Sequence, residues 1–121
     1  MGRRKPKRRT MAGEAELYEL YESAVQNVEE ECRFMATTFE EIRDRSPAGF
    51  REDFCGTASA ACEWVRQGKT RYAFGVDLDA DVLTWGRKNR VSQLGKGQRQ
   101  RLSLIRGDVR EVETPLVVLI T

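Results

Sequence analysis

"FREDFCGTASAACEWV", residues 50–65, runs from an apolar start through a turn of small residues into a pattern with helical period. Loops that bind nucleotides begin in this way, at the point where a strand leads into a helix. The turn contains a single glycine, Gly56. The residues on either side of it must therefore distinguish a cofactor loop from an ordinary turn.

Short apolar segments alternate with helical patterns throughout this part of the chain. Strands are predicted at 50–54, 72–76, 102–106 and 115–120, and helices at 57–67 and 79–94. Gly68 ends the first of these helices, and Gly95 and Gly97 end the second. The alternation predicts an α/β fold of βαβαβ units with a parallel sheet, which binds ligands at the carboxyl ends of its strands.

An amphipathic helix, or two in tandem, is predicted before the first strand and ends at Pro47. Its apolar stripe has steps of three and four residues and consists of Leu17, Tyr21, Ala24, Val28, Cys32, Met35, Phe39 and Ile42. The stripe could pair with another chain as a coiled coil. Its aromatic and small residues favour packing on its own domain instead.

The net charge of +2 conceals a basic N-terminus, "MGRRKPKRRT", with six basic residues and no acid. Subtracting these six charges from +2 leaves −4 for the other residues. A disordered, solvated tail is the simplest interpretation, although such a run can also be a nuclear-import signal or contact nucleic acid. It lacks a secretory apolar core, and Pro6 stands where myristoylation needs Ser or Thr. We expect an intracellular, cytoplasmic protein without membrane association, and the nucleus as a second location.

Several chemistries are excluded by composition. The 121 residues contain no histidine, which rules out Ser/His/Asp, Cys/His and His-dependent metal sites within them. Cys32, Cys55 and Cys62 form no C-x-x-C pair, so no disulfide framework, zinc site or other metal site is predicted. Residues 77–81 resemble a calcium loop, but Val82 replaces the glycine that such a loop needs. Cys55 at a helix start could be a reactive thiol, but we interpret it as a small loop residue.

Acidic residues mark the ends of three predicted strands. Glu52 belongs to the first, and Asp77 follows Gly56 by about 20 residues, the spacing of carboxylates that bind ribose hydroxyls. Asp77 or Asp79 could instead cap the next helix. Asp108 follows a glycine after the third strand. The three acids are therefore predicted at one edge of the sheet.

Three short motifs resemble, in order and spacing, the cofactor motifs of class I S-adenosylmethionine-dependent methyltransferases: Glu52-x-x-Cys55-Gly56-Thr57, Gly75-Val76-Asp77 and Gly107-Asp108-Val109. The first motif of that family resembles "LDLGCGTG". Alignment on "CGT" puts Glu52 on the family's acid, and Phe54 and Ala58 where glycines are usual. The resemblance covers residues 50–112 and implies a Rossmann-like sheet that binds S-adenosyl-L-methionine.

The resemblance implies the cofactor-binding residues Glu52, Cys55, Gly56, Thr57, Asp77, Leu78, Asp108 and Val109. Glu52 and Gly56 would lie beside the methionine part of the cofactor, and Asp77 would bind the ribose hydroxyls. Asp108 and the backbone of Val109 would face the adenine. Carboxylates suit these roles because they accept hydrogen bonds from hydroxyls and amines. An acid in the first loop also suits a cationic sulfonium better than a diphosphate.

The resemblance further implies methyl transfer and a division of the chain into three parts. We expect a basic disordered tail at 1–12, a helical extension at 13–47 and a partial S-adenosylmethionine-binding α/β domain at 48–121. In the family, residues that handle the acceptor usually follow the fourth strand, where this sequence stops. We therefore expect a fragment or short isoform; the methyl acceptor, the catalytic residues and the oligomeric state are not indicated.

A different class of function is a non-catalytic interaction protein that contacts nucleic acid. Its basis is the basic tail together with a second basic cluster: Arg87, Lys88, Arg90, Lys96, Arg99 and Arg101. A solvated helix face and loop is the simpler interpretation of this cluster, because aromatic residues are not interleaved with it.

Overall fold

The computed structural model describes residues 11–115 and 119–120, with side chains from residue 27 to residue 115. In chain order the elements are α1 (Met11–Arg43), β1 (Gly49–Asp53), α2 (Ser59–Arg66), β2 (Tyr72–Asp77), α3 (Ala80–Asn89), α4 (Lys96–Gln100), β3 (Leu102–Arg106) and β4 (Leu119–Ile120). Most of the predicted basic tail, and residues 116–118 and 121 of the predicted fourth strand, lie outside the described residues.

The strands form one parallel sheet in the order β3-β2-β1-β4. Its register places Glu52 opposite Gly75, and Asp77 opposite Arg106. Because all strands run the same way, the turns after β1, β2 and β3 meet at one edge. The predicted α/β class and parallel βαβαβ arrangement are confirmed, with β1, α2 and β3 within two residues of their predicted bounds.

The core forms where α2 packs against β1. Phe50 and Trp64 are fully buried with ring centroids 5.3 Å apart, and Trp64 Nε1 donates to the Ala48 carbonyl at 3.0 Å. Burial of an aromatic side chain of this size stabilises by about 1.5–3 kcal/mol. On β1 side chains alternate between faces, so Glu52 shares the Phe50 face while Arg51 and Asp53 lie on the other.

The predicted helical extension is one continuous helix, α1, rather than two. Cys32, Ala36 and Phe39 are buried, as the apolar stripe requires. Ile42 was predicted on the same stripe and is 71% exposed. It lies roughly 80° around the helix from Cys32, because steps of three and four residues drift away from a fixed face. Within the described residues, no helix has both the length and the apolar character needed to cross a membrane.

The predicted helix at 79–94 is wrong only beyond residue 89, since α3 ends at Asn89 and a 3₁₀ turn follows at Val91–Gln93. The Asn89 side chain donates to the Trp85 carbonyl and the Ser92 hydroxyl to the Lys88 carbonyl, which satisfies carbonyls of the last turn. The break lets Leu94 enter the core at 4% exposure.

The two glycines that were predicted to end that helix belong to the next helix, α4. Gly95 is the N-cap of α4, and Gly97 lies inside it. Gly86, inside α3, has a packing role instead: a Cβ built there would lie 2.6 Å from the Thr57 carbonyl oxygen. The absence of a side chain at Gly86 therefore allows α3 to approach the turn after β1.

We expect Gly86→Ala to lower the free energy of unfolding by about 1–2 kcal/mol, because overpacking against a backbone atom outweighs the gain in helix propensity. Gly97→Ala is the matched control, since a Cβ there meets nothing within 4 Å. It should be neutral or stabilising by up to about 1 kcal/mol. Urea unfolding of both variants measures the difference. Equal stabilisation by both would contradict the close approach of α3.

Candidate cofactor site

The turn after β1 has an unusual backbone. Phe54, Gly56 and Ala58 all have left-handed conformations, with φ of 55°, 56° and 64°. Only glycine adopts this region without cost, and other residues pay about 1–2 kcal/mol. These are the three positions at which the methyltransferase motif is expected to carry glycine. The backbone therefore has the shape of a glycine-rich loop although two of its three glycines are replaced.

Asp77 at the end of β2 fixes this loop. Its Oδ2 accepts from the Gly56 backbone N–H at 2.9 Å, and its Oδ1 accepts from the Asp79 N–H at 2.9 Å. Asp79 caps α3 by accepting from Asp81 and Val82 N–H groups at 2.9 and 3.2 Å. The cap is thus Asp79, and Asp77 lies between two loops. Each of its oxygens keeps a lone pair for a further donor.

Glu52 lies near the start of α2 and is half-buried. The backbone N–H of Ala61 hydrogen-bonds to its carboxyl group, while Oε1 is buried and has no hydrogen-bond partner. Burial raises the pKa of Glu52 to about 7, and the Ala61 N–H opposes that rise only in part. A buried acceptor without a donor is costly, and a cationic donor would satisfy it.

Cys55 and Thr57, also predicted at the site, have their side chains in different surroundings. Cys55 is 7% exposed, and a Cβ at Gly75 would lie 3.0 Å from its Sγ, so the thiol is packed against β2. Burial raises the pKa of the Cys55 thiol to about 12, which contradicts the idea of a reactive thiolate. The Thr57 hydroxyl lies 3.2 Å from the Ser59 hydroxyl in the loop.

The segment after β3 forms the third part of this edge. Its first residue, Gly107, donates its N–H to the Asp77 carbonyl at 3.0 Å. Asp108 forms an ion pair with Arg110, with Nη2 to Oδ2 at 2.6 Å. The Arg110 side chain and backbone N–H hold the pKa of Asp108 below its usual range. Asp108 is therefore ionised and oriented.

A pocket of about 250 Å³ lies between the three loops. It is lined by Phe54, Leu78, Gly107, Asp108, Val109 and Arg110. Phe54 and Leu78 are 74% and 61% exposed, so the pocket has two accessible apolar walls. Sites for drug-sized ligands measure about 300–1,000 Å³, so this pocket would take one ring system of a larger ligand.

The predicted site residues thus fall into two groups. Gly56 and Asp77 are hydrogen-bonded to each other, and Leu78, Asp108 and Val109 line the pocket. Glu52, Cys55 and Thr57 do not line the pocket. The Glu52 carboxyl group meets the start of α2, and the Cys55 thiol packs against β2. Sequence reasoning missed Phe54 as a pocket wall and Arg110 as the partner of Asp108. Within the described residues, no cluster of three or more Cys, Asp or Glu side chains is placed to hold a metal ion.

Solved methyltransferases share this fold. The chain aligns with the glycopeptide N-methyltransferase MtfA with a TM-score of 0.58 and 20% identity, over 73% of this chain and 35% of that one. It aligns with the plantazolicin methyltransferase BpumL in complex with SAH with a TM-score of 0.65 and 11% identity, over 88% and 38%. The fold is therefore that of class I methyltransferases, and the chain spans little more than a third of these structures.

A further structure of MtfA, in complex with sinefungin, aligns with a TM-score of 0.54 over 71% of this chain. No protein-family model matches the sequence, and no curated protein matches it significantly.

The left-handed loop predicts opposite effects for two substitutions. Phe54→Gly should raise the free energy of unfolding by about 1 kcal/mol, because it removes backbone strain at an exposed side chain. Gly56→Ala should lower it by about 1 kcal/mol through strain alone, since a Cβ there has room, with Val82 Cγ1 at 3.8 Å. Urea unfolding of the ligand-free chain tests both. A loss of stability in Phe54→Gly would contradict the loop conformation.

The buried carboxyl group predicts a pH effect on stability. The pKa of Glu52 rises from 4.5 to about 7 on folding, so between these values the folded state binds more protons and stability falls as pH rises. Above pH 7 the ionised carboxylate of Glu52 lowers the free energy of unfolding by at most about 3 kcal/mol, and solvent screening reduces this value. Glu52→Gln should therefore be more stable than wild type at pH 8 and much closer to it at pH 4.5.

The control for this effect is Glu41→Gln, which changes an exposed carboxylate on α1. Urea unfolding at pH 4.5, 6 and 8 should give Glu41→Gln the same pH dependence as wild type. If Glu52→Gln also follows wild type at every pH, Glu52 does not titrate as described.

Proposed function

We propose that this chain forms the S-adenosylmethionine-binding part of a methyltransferase. The observation that carries the proposal is the loop with left-handed residues at 54, 56 and 58, held by Asp77 at the carboxyl edge of a parallel sheet. Ligands of such sheets bind at this edge. The structures of MtfA and BpumL that share the fold include complexes with SAH and sinefungin.

The residues at this edge fit the parts of that cofactor one by one. Glu52 offers a buried Oε1 without a partner, which suits the ammonium of the methionine part. Asp77 keeps lone pairs for two adjacent hydroxyls of a ribose. The pocket beside Leu78 has apolar walls for a purine and the ionised Asp108 to accept from an exocyclic amine. Each of these groups would gain an interaction that the ligand-free chain lacks.

When bound, the cofactor supplies an electrophilic methyl group on a sulfonium, which passes to a nucleophile by in-line displacement. The residues described here bind and orient it, and positioning is a large part of catalysis in such transfers. None of them is assigned to the acceptor. Methyl transfer by the whole protein, and the identity of the acceptor, are therefore part of the proposal, as is the idea that this chain is a fragment or short isoform.

Nucleic-acid binding, the alternative function, gains no support from the second basic cluster. Arg101 donates to the Val65, Gly68 and Arg71 carbonyls, and Arg87 donates to the Leu104 carbonyl. Arg90 lies over the Trp85 ring at 5.4 Å. Side chains used in this way do not form a continuous basic face. Nucleic-acid binding through the tail stays a prediction, testable by salt titration.

Calorimetry with S-adenosylhomocysteine tests the proposed function. Asp77→Ala should weaken binding roughly 10- to 100-fold, because hydrogen bonds to a charged acceptor contribute about 1.5–3 kcal/mol. Asp77 also holds the loop, so a second variant is needed. Leu78→Ala removes an exposed apolar wall without disturbing the fold and should weaken binding up to about tenfold.

The matched control is Asp81→Ala, which changes an exposed acid in the first turn of α3. It should bind S-adenosylhomocysteine as wild type does. Absence of binding by the folded wild-type chain, or equal affinities for all four proteins, would contradict the proposed function.

A further inference from the structure

The charged side chain of Arg51, on β1, is buried. Its side chain is 9% exposed, and Nε lies 2.6 Å from Oδ1 of Asp53. Nη1 donates to the Val112 carbonyl at 2.8 Å and to the Thr114 hydroxyl at 3.3 Å, and Nη2 donates to the Val109 carbonyl at 2.9 Å. The planar guanidinium thus uses all three of its nitrogens, a fixed geometry that lysine cannot reproduce.

All the acceptors of Arg51 except Asp53 belong to the segment that follows β3. They lie 58 to 63 residues further along the chain. The same segment supplies four of the residues that line the pocket, 107–110. Its start is tied to β2 through the Gly107 N–H and the Asp77 carbonyl. Arg51 ties the rest of it to β1.

We propose that Arg51 is a positioning residue for base recognition: by holding the Val109 and Val112 carbonyls, it sets the selectivity of the pocket for adenine. This inference rests on the proposed function. Asp108 accepts from the exocyclic amine of adenine, whereas hypoxanthine presents a carbonyl at that place and is repelled. A site built around such a hydrogen bond discriminates strongly only if its polar group is held in place.

A buried arginine at this position favours a role in orienting the segment after β3 over a role in stabilising the fold. Burial of a charged group is expensive, and apolar residues often replace buried ion pairs without loss of stability. An arginine whose hydrogen bonds run to one distant segment constrains the conformation of that segment instead. Arg51 is not among the residues that line the pocket, so it acts on the ligand only through the loop.

Arg101 provides a matched comparison within the same chain. It also donates to backbone carbonyls, those of Val65, Gly68 and Arg71. It precedes β3, and Arg71 precedes β2, so this cluster lies at the amino edge of the sheet, opposite the pocket. Loss of Arg101 should therefore affect the fold without affecting selectivity.

The test is calorimetry on the 121-residue chain with S-adenosylhomocysteine and S-inosylhomocysteine, together with urea unfolding. Wild type should prefer the adenosyl ligand at least tenfold. Arg51→Met should weaken the adenosyl ligand about tenfold and the inosyl ligand much less, so that the preference falls to a third of the wild-type value or below. The preference of Arg51→Lys should lie between those of wild type and Arg51→Met. Arg101→Met should lose stability but keep the wild-type preference.

A preference that stays within twofold of wild type in the Arg51 variants, or that falls equally in Arg101→Met, would overturn the inference. So would a wild type that binds both ligands equally. If Arg51→Met does not fold, Arg51→Lys decides by the same ratio. Absence of any binding of S-adenosylhomocysteine to wild type would overturn the proposed function as well, which separates the two failures.

Discussion

Asp77 joins the three loops at the carboxyl edge of the sheet. Its Oδ2 holds the Gly56 N–H of the first loop, its Oδ1 holds the Asp79 N–H of the second, and its backbone carbonyl holds the Gly107 N–H of the third. Hydrogen bonds to a charged acceptor contribute about 1.5–3 kcal/mol, more than neutral ones. The position of each loop relative to the others therefore depends on this residue, before any ligand is considered.

This constraint explains how the first loop keeps its shape with only one of the three glycines of the family motif. Left-handed conformations at Phe54 and Ala58 persist only where the surroundings over-determine them. Here the Asp77 bond to the Gly56 N–H and the bond from the Cys55 N–H to the Val76 carbonyl, both 2.9 Å, hold two adjacent residues of the loop between Phe54 and Ala58. A Cβ at Gly56 would have room, so the role of this glycine lies in its left-handed backbone conformation.

Sequence reasoning could place the strands and the acids at their ends, because apolar runs and the parallel topology determine both. It could not find Arg51, since an arginine within a strand looks solvent-exposed and its partners lie some 60 residues away. It misplaced the end of α3, because side chains of Asn89 and Ser92 end that helix where glycine or proline was expected. The neighbours of Glu52 likewise depend on how α2 packs, which no local pattern reveals.

Several unfavourable features of this fold lie close together. Left-handed Phe54 and Ala58 and the unpartnered Oε1 of Glu52 all belong to the part of β1 and its loop nearest the carboxyl edge. At the amino edge, by contrast, the Arg101 side chain donates hydrogen bonds to three backbone carbonyls. A cationic, hydrogen-bonding ligand at the carboxyl edge would offset part of these costs and stabilise the folded state by mass action. Under the proposed function, Oε1 of Glu52 is both a group that weakens the ligand-free chain and the acceptor for the ammonium of the ligand.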